Sequence, residues 1–151
     1  METALRHRNW IVVALMVAAV ITATLLLQKP AQNQSGAAPR TSFGATVAPP
    51  AYVGGLNATN GWVVVSRSQL IAVYAGSEAE NHHNGRLVVV RRTGARRTVH
   101  SVAIRGSGAI TLLRPAAVGS VSAAGNAQLR FVTAAGATGT IDLTTYRVSV
   151  H

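Results

Sequence analysis

The hydrophobic pattern of the chain begins with an uncharged run over residues 10–27. Arg6 and Arg8 precede this run, and Lys29 follows it closely. As an α-helix at 1.5 Å per residue, a run of this length extends about 27 Å, close to the roughly 30 Å of bilayer hydrocarbon. The pattern predicts one transmembrane helix over 10–27 with residues 1–9 in the cytoplasm, because basic residues before a span favour an N-terminus inside.

A cleaved signal peptide is the alternative interpretation of the same run. Its basic start fits, but the apolar stretch is longer than the usual 7–15 residues or so of such a leader. Gln28, Lys29 and Pro30, directly after the run, lack the small side chains of a cleavage site. We therefore expect an uncleaved signal anchor, with a secreted protein as the alternative.

Residues 28–55 differ sharply from the run before them. They contain four of the five prolines, separated by Ala, Gly, Ser, Gln and Asn, and few large apolar side chains. Such a composition buries too little apolar surface to offset the entropy lost on ordering. The segment is predicted to be a flexible linker with a root-mean-square span of roughly 30 Å. Tyr52 and Val53 near its end, with Leu56, are alternatively part of the first strand.

From Leu56 onward, short β-branched runs alternate with turn residues, a pattern typical of all-β domains. Gly94-Ala95 and Ala135-Gly136 are predicted hairpin turns, and a change of alternation phase at Thr144-Thr145 predicts a bulge or tight bend. Residues 116–126 are expected to form a Gly-rich loop, with a short strand around Val121 as an alternative for part of it. The sequence predicts an all-β domain over 56–151, a small sandwich or open barrel of about seven to eight short strands.

The net charge of the chain is strongly positive. The chain has 151 residues, no cysteine and a net charge of +10, and all but one of its 14 Lys and Arg residues are arginine. The absence of cysteine excludes disulfides and thiol chemistry. The preference for arginine over lysine has two explanations, a GC-rich codon usage and selection for bidentate contacts with phosphate or carboxylate. Codon usage does not by itself explain why acidic residues are so few.

Enzymatic and metal chemistry find little support in this composition. The acidic residues after residue 55 are Glu78, Glu80 and Asp142, and no Gly-x-Ser-x-Gly nucleophile motif is present. His82-His83 carry metal-ligating atoms, but neighbouring residues seldom face one point. We expect no catalytic residues, no cofactor and no metal site, and we expect Asp142 to be a surface ion-pair partner.

The most distinctive candidate site is the cluster around the first predicted hairpin turn. Arg91, Arg92, Arg96 and Arg97 flank Gly94-Ala95, so their guanidinium groups are predicted to converge near one tip. Such a cluster is either a plain turn that faces water or a site for phosphate-bearing partners, here anionic lipid or a cell-wall polymer. Nucleic acid is disfavoured because the stacking aromatics of single-strand binders are missing.

Together these features predict a non-enzymatic, membrane-anchored bacterial envelope protein. The membrane is its first partner, through the N-terminal helix, and the β domain outside is expected to be an interaction or structural module. Binding of anionic lipid or wall polymer by the arginine cluster is the alternative role, and the sequence identifies no protein partner.

Overall fold

The computed structural model describes residues 39–118 and 120–151. The predicted cytoplasmic segment, the predicted span over 10–27 and the predicted linker up to residue 38 lie outside the described residues. Within the described ranges, no helix is both long and apolar enough to cross a bilayer.

The described part of the chain is mostly β, as the sequence predicts. It forms nine strands and one short helix, slightly more strands than the predicted seven to eight. The strands are β1 (Arg40–Gly44), β2 (Leu56–Val65), β3 (Gln69–Glu78), β4 (Gly85–Thr93), β5 (Arg96–Ile104), β6 (Ile110–Leu112), β7 (Gln128–Thr133), β8 (Thr138–Asp142) and β9 (Val148–Val150), and the helix α1 covers Val121–Gly125.

The strands form two antiparallel sheets. One sheet has the order β1-β2-β3-β4-β5 and the other β6-β7-β8-β9, so every paired strand is also a neighbour along the chain. One apolar cluster contains side chains of both sheets. Its members from the five-stranded sheet are Trp62, Val64, Ile71, Val73, Ala75, Leu87 and Val89, and those from the four-stranded sheet are Ile110, Leu112, Leu129, Phe131 and Ile141.

Strand β3 is buried on both of its faces. Ile71 and Val73 lie on the inner face, which packs against the four-stranded sheet. Ala72 and Tyr74 lie on the outer face, in a smaller cluster with Val53 from the segment before β2. This double burial explains why β3 and β4 appear in the sequence as nearly continuous apolar runs rather than as strict alternations.

The described part of the predicted linker, residues 39–55, contributes to this fold. Strand β1 pairs with β2 from Arg40↔Val65 to Gly44↔Gly61, and Phe43 packs against the main core. Val53 is buried on the outer face. Composition does not reveal these roles, because an edge strand is held chiefly by backbone hydrogen bonds and here contributes one large side chain.

The stretch 116–126, expected to be a loop, contains the helix α1. The Ser120 side chain caps it, its hydroxyl oxygen accepting a hydrogen bond from the Ala123 N–H at 3.0 Å. Val121 and Ala124 are buried. A helix of little more than one turn is too short to show a helical hydrophobic period, which is why the pattern alone does not predict it.

A buried asparagine connects the two sheets. Asn60 on β2 is 7% exposed, and it donates from Nδ2 to the Leu112 carbonyl oxygen at 2.9 Å. Its Oδ1 accepts from the Leu112 N–H, also at 2.9 Å. The side-chain amide therefore satisfies both backbone groups of a β6 residue, as a neighbouring strand would.

We expect Asn60→Ala to lower the free energy of unfolding by about 2–4 kcal/mol, because a buried N–H and a buried C=O would lose their partner. The measurement is urea unfolding of the full chain in mild detergent. Asn57→Ala is the matched control, since it removes an exposed asparagine from the same strand. If the two variants lost the same free energy of unfolding, the hydrogen bonds of Asn60 to Leu112 would not be a specific source of stability.

Candidate functional site

The predicted hairpin at Gly94-Ala95 is present, and it divides the four candidate arginines between two faces. Thr93 pairs with Arg96 across the turn, and Gly94 has φ 58°, a left-handed conformation that glycine adopts readily. Alternation along β4 then places Arg91 on the inner face and Arg92 on the outer face. The four guanidinium groups therefore do not form one cluster.

Arg91 is engaged in holding the fold together. One of its terminal nitrogens donates to the carbonyl oxygens of Gly125, at 2.8 Å, and of Leu143. Its Nε is buried and has no partner among the described residues. The guanidinium carbon also lies 5.5 Å from the ring centroid of Tyr146. Arg91 thus joins β4 to the end of α1 and to the turn after β8.

Tyr146 marks the bend that the sequence predicts at Thr144-Thr145. It has φ 58°, an uncommon conformation for a residue other than glycine. Its ring stacks on His100 of β5, with the centroids 3.8 Å apart and the planes 15° from parallel. With Arg91 on the same ring, this stack ties the β8–β9 turn to the five-stranded sheet.

Arg92 and Arg97 lie on the outer face and directly opposite one another in β4 and β5. The residues that pair with them in the other strands continue this line across all five strands, perpendicular to the strand direction. We call this line a row, and it is about 19 Å long at the usual spacing between strands. The row consists of Arg40, Val65, Leu70, Arg92 and Arg97. It is the last or next-to-last row at this end of the sheet.

Two turns bring further arginines to the same end. The turn between β2 and β3 carries Arg67, and a hydrogen bond from the Gly94 N–H to the Ser68 carbonyl oxygen, 2.7 Å, joins it to the β4–β5 turn. Arg96 begins β5 immediately after that turn. We call this exposed group the arginine end, and its members are Arg40, Arg67, Arg92, Arg96 and Arg97.

Exposed apolar groups adjoin the arginine end on the outer face. The Arg97 guanidinium carbon lies 3.9 Å from the ring centroid of Tyr52, which is 45% exposed. Val99, also 45% exposed, is two residues further along β5 and on the same face as Arg97. The arginine end therefore combines positive charge with a small apolar surface.

Acidic side chains of the five-stranded sheet lie at its other end. Glu78 and Glu80 are in and beside the connection from β3 to β4, where they line a cavity of about 170 Å³ with Arg86. Asp142 belongs to the four-stranded sheet. Its carboxylate, expected to pair with an arginine, accepts hydrogen bonds from the N–H groups of Thr145 and Thr144, which lower the pKa of this carboxyl.

The histidine pair also belongs to this opposite end. Nδ1 of His82 lies 3.2 Å from the Asn57 amide nitrogen and 3.4 Å from the Ser77 hydroxyl. In residues 39–118 and 120–151, no group of three or more His, Cys, Asp and Glu residues is placed to hold a metal ion.

A second cavity lies near the arginine end, between the five-stranded sheet and α1. This cavity has a volume of about 260 Å³. Its polar lining residues are Gln69, Arg91, Arg92, Thr93, Ser122 and Asn126. One terminal nitrogen of Arg91 already donates to two carbonyl oxygens. Arg91 therefore stabilises the fold at this side of the cavity.

The sequence pattern predicts a shared surface for Arg92, Arg96 and Arg97, but it does not indicate the other two members of the arginine end or the tyrosine beside them. Arg40 and Tyr52 fall in the predicted linker, and Arg67 lies in a turn far from the cluster in sequence. Only the strand order and register bring these residues together. No family model, curated protein or solved structure matches the chain.

The stability of the protein is expected to depend strongly on Arg91 and little on Arg92, its neighbour in β4. Arg91→Ser should lower the free energy of unfolding by about 2–3 kcal/mol, because two carbonyl oxygens lose a charged donor. Arg92→Ser should change it by less than about 0.5 kcal/mol, or raise it slightly, because like charges opposite one another destabilise a sheet. Urea unfolding of both variants decides this, and a comparable loss at Arg92 would contradict the assignment of roles.

Proposed function

We propose that the chain is a single-pass bacterial envelope protein whose β domain is a non-enzymatic interaction module outside the membrane. The uncharged run over 10–27 and the basic residues before it support the anchor and its orientation. The same proposal includes a sandwich rather than an open barrel, because the two sheets share no strand and contribute to one core.

The arginine end is the proposed binding surface, and its ligands are phosphate-bearing groups of the envelope, in lipid or in wall polymer. The observation that carries this proposal is the gathering of five exposed arginines at one end of one sheet. Arg92 and Arg97 are cross-strand partners on one face, where like charges repel one another, and an anion bound between or above them would offset that repulsion. Guanidinium groups can bind such anions through two parallel hydrogen bonds.

The contacts of two serines and one histidine, the side-chain types of a hydrolytic site, favour a non-enzymatic role. Ser101 accepts a hydrogen bond from Arg86 Nε at 2.7 Å, and the Ser107 hydroxyl donates to the Ile104 carbonyl oxygen at 2.8 Å. His100 is stacked on Tyr146. These two serines and this histidine thus each have a structural partner of their own. A secreted protein with the same binding surface is the alternative if the leader is removed.

The anchor is tested by fractionation after an alkaline carbonate wash, with the mass of the mature chain as a second readout. We expect the unshortened chain to stay with the membranes, since residues 10–27 prefer hydrocarbon to water. Replacing Ala18 and Ala19 together by arginine should release it, because each arginine at a span centre costs about 2.5–3.5 kcal/mol.

The matched control places two arginines at Ala37 and Ala38, outside the predicted span, and should stay in the membrane. A shortened chain in the soluble fraction would favour secretion, and a full-length soluble chain would exclude both forms of export.

The binding surface is tested with a soluble phosphate polymer, poly(glycerol phosphate), and the full chain in uncharged detergent. If all five arginines neutralise phosphates, log affinity should fall with log salt concentration at a slope of about 3.5, or roughly 100-fold between about 50 and 200 mM. Arg67→Ser with Arg96→Ser should reduce the slope to about 2.

The control for that experiment is Arg105→Ser with Arg130→Ser, which removes the same charge from exposed positions outside the arginine end. Its slope should match that of the unaltered chain. Equal effects of the two double variants would show that net charge, and not the arginine end, attracts the polymer.

A further inference from the structure

We infer that the arginine end docks on the anionic headgroups of the bilayer in which the same chain is anchored. This inference depends on the anchor in the proposed function, and it names one partner for the surface described there. It follows from where the chain enters the fold, from how short the connection is, and from the apolar groups beside the arginines.

The chain enters the β domain at the arginine end. Arg40 is the first residue of β1 and also the first member of the transverse row that ends at Arg97. The five-stranded sheet could have begun at its opposite end, beside Glu78 and Glu80. The covalent connection to the predicted span therefore arrives at the arginine end, and not at the end of the five-stranded sheet where Glu78 and Glu80 offset Arg86 and Arg105.

The connection is shorter than composition alone indicates. Because β1 begins at Arg40, only residues 28–39 separate the predicted span from the first strand. Even fully extended, a stretch of that length reaches at most about 40 Å. Short connections give effective local concentrations in the millimolar range, so a surface of weak intrinsic affinity is sufficient for docking.

The surroundings of Arg97 favour a bilayer over a wall polymer. Tyr52 lies under the Arg97 guanidinium with nearly half of its surface exposed, and Val99 is exposed beside them. Tyrosine is enriched at membrane–water interfaces, where its ring lies among headgroups and its hydroxyl faces water. A hydrophilic polymer would make use of the charges but would leave Tyr52 and Val99 without an apolar partner.

The charge distribution also orients the domain. An anionic surface attracts the arginine end more strongly than the far end of β3, where Glu78 and Glu80 offset the charges of Arg86 and Arg105. Strand β3 has ten residues, so the far end lies about 30 Å from the arginine end along the strand direction. Docking therefore presents the β3–β4 connection away from the bilayer.

Because the chain has no cysteine, single labels can report on this orientation. Ala95→Cys places a fluorophore at the β4–β5 turn, and Ala79→Cys places one at the opposite end. Each variant of the full chain is reconstituted in nanodiscs of phosphatidylcholine with or without phosphatidylglycerol, and quenching by headgroup-labelled lipid is measured. We expect strong quenching at position 95 only, only with phosphatidylglycerol, and reversed by high salt.

The arginine variants then test which charges act. Near an anionic membrane each basic residue contributes about fivefold, so Arg67→Ser with Arg96→Ser should lower the ratio of docked to undocked domain roughly 25-fold. Arg105→Ser with Arg130→Ser should leave this ratio unchanged. Replacement of Arg67 and Arg96 by lysine should retain most of the docking, because the attraction of a basic residue to an anionic membrane surface is similar for lysine and arginine.

Each outcome decides one of the two proposals. Equal quenching at positions 79 and 95, or quenching that does not depend on phosphatidylglycerol, overturns docking. If the same nanodiscs still bind poly(glycerol phosphate) through the arginine end, the proposed function stands with a polymer as its ligand. If neither lipid nor polymer binds, the binding surface itself is wrong, and failure to insert into nanodiscs contradicts the anchor.

Discussion

Burial of the inner face of the five-stranded sheet is the constraint on which the rest of the structure depends. Trp62, Val73 and Leu87 can meet the second sheet in only one register, because a slip of one residue would turn them toward the opposite face. The same register places Arg91 inside, against the carbonyls of α1 and the β8–β9 turn. It places Arg92 and Arg97 outside, side by side.

The sequence predicts what depends on local pattern, and it misses what depends on neighbours distant in the chain. The β class, the Gly94-Ala95 hairpin and the bend at Thr144-Thr145 all follow from alternation and turn residues. The role of Arg91 does not, because its partners lie more than thirty residues away. Arg40 joins the arginine end only through β1, an edge strand whose composition resembles that of a linker.

The arginine end is also the end of the sheet at which the chain enters the domain, and the two features support the same function. Repulsion between Arg92 and Arg97 is tolerable in a domain whose arginine end meets phosphate. A short connection at Arg40 would bring that end repeatedly to a phosphate-bearing surface without requiring high intrinsic affinity. On this account the stable core serves to hold exposed charges in a fixed row rather than to build a cleft for chemistry.

The most direct test of this account is a distance between arginine carbon and lipid phosphorus. In solid-state NMR of the full chain with ¹³C-labelled arginine in phosphatidylglycerol-containing bilayers, lipid ³¹P should dephase part of the guanidinium Cζ signal. The account predicts that this dephased part falls when Arg92, Arg96 and Arg97 are replaced by unlabelled lysine, and persists when Arg105 and Arg130 are replaced. No dephasing, or the same loss in both cases, would contradict it.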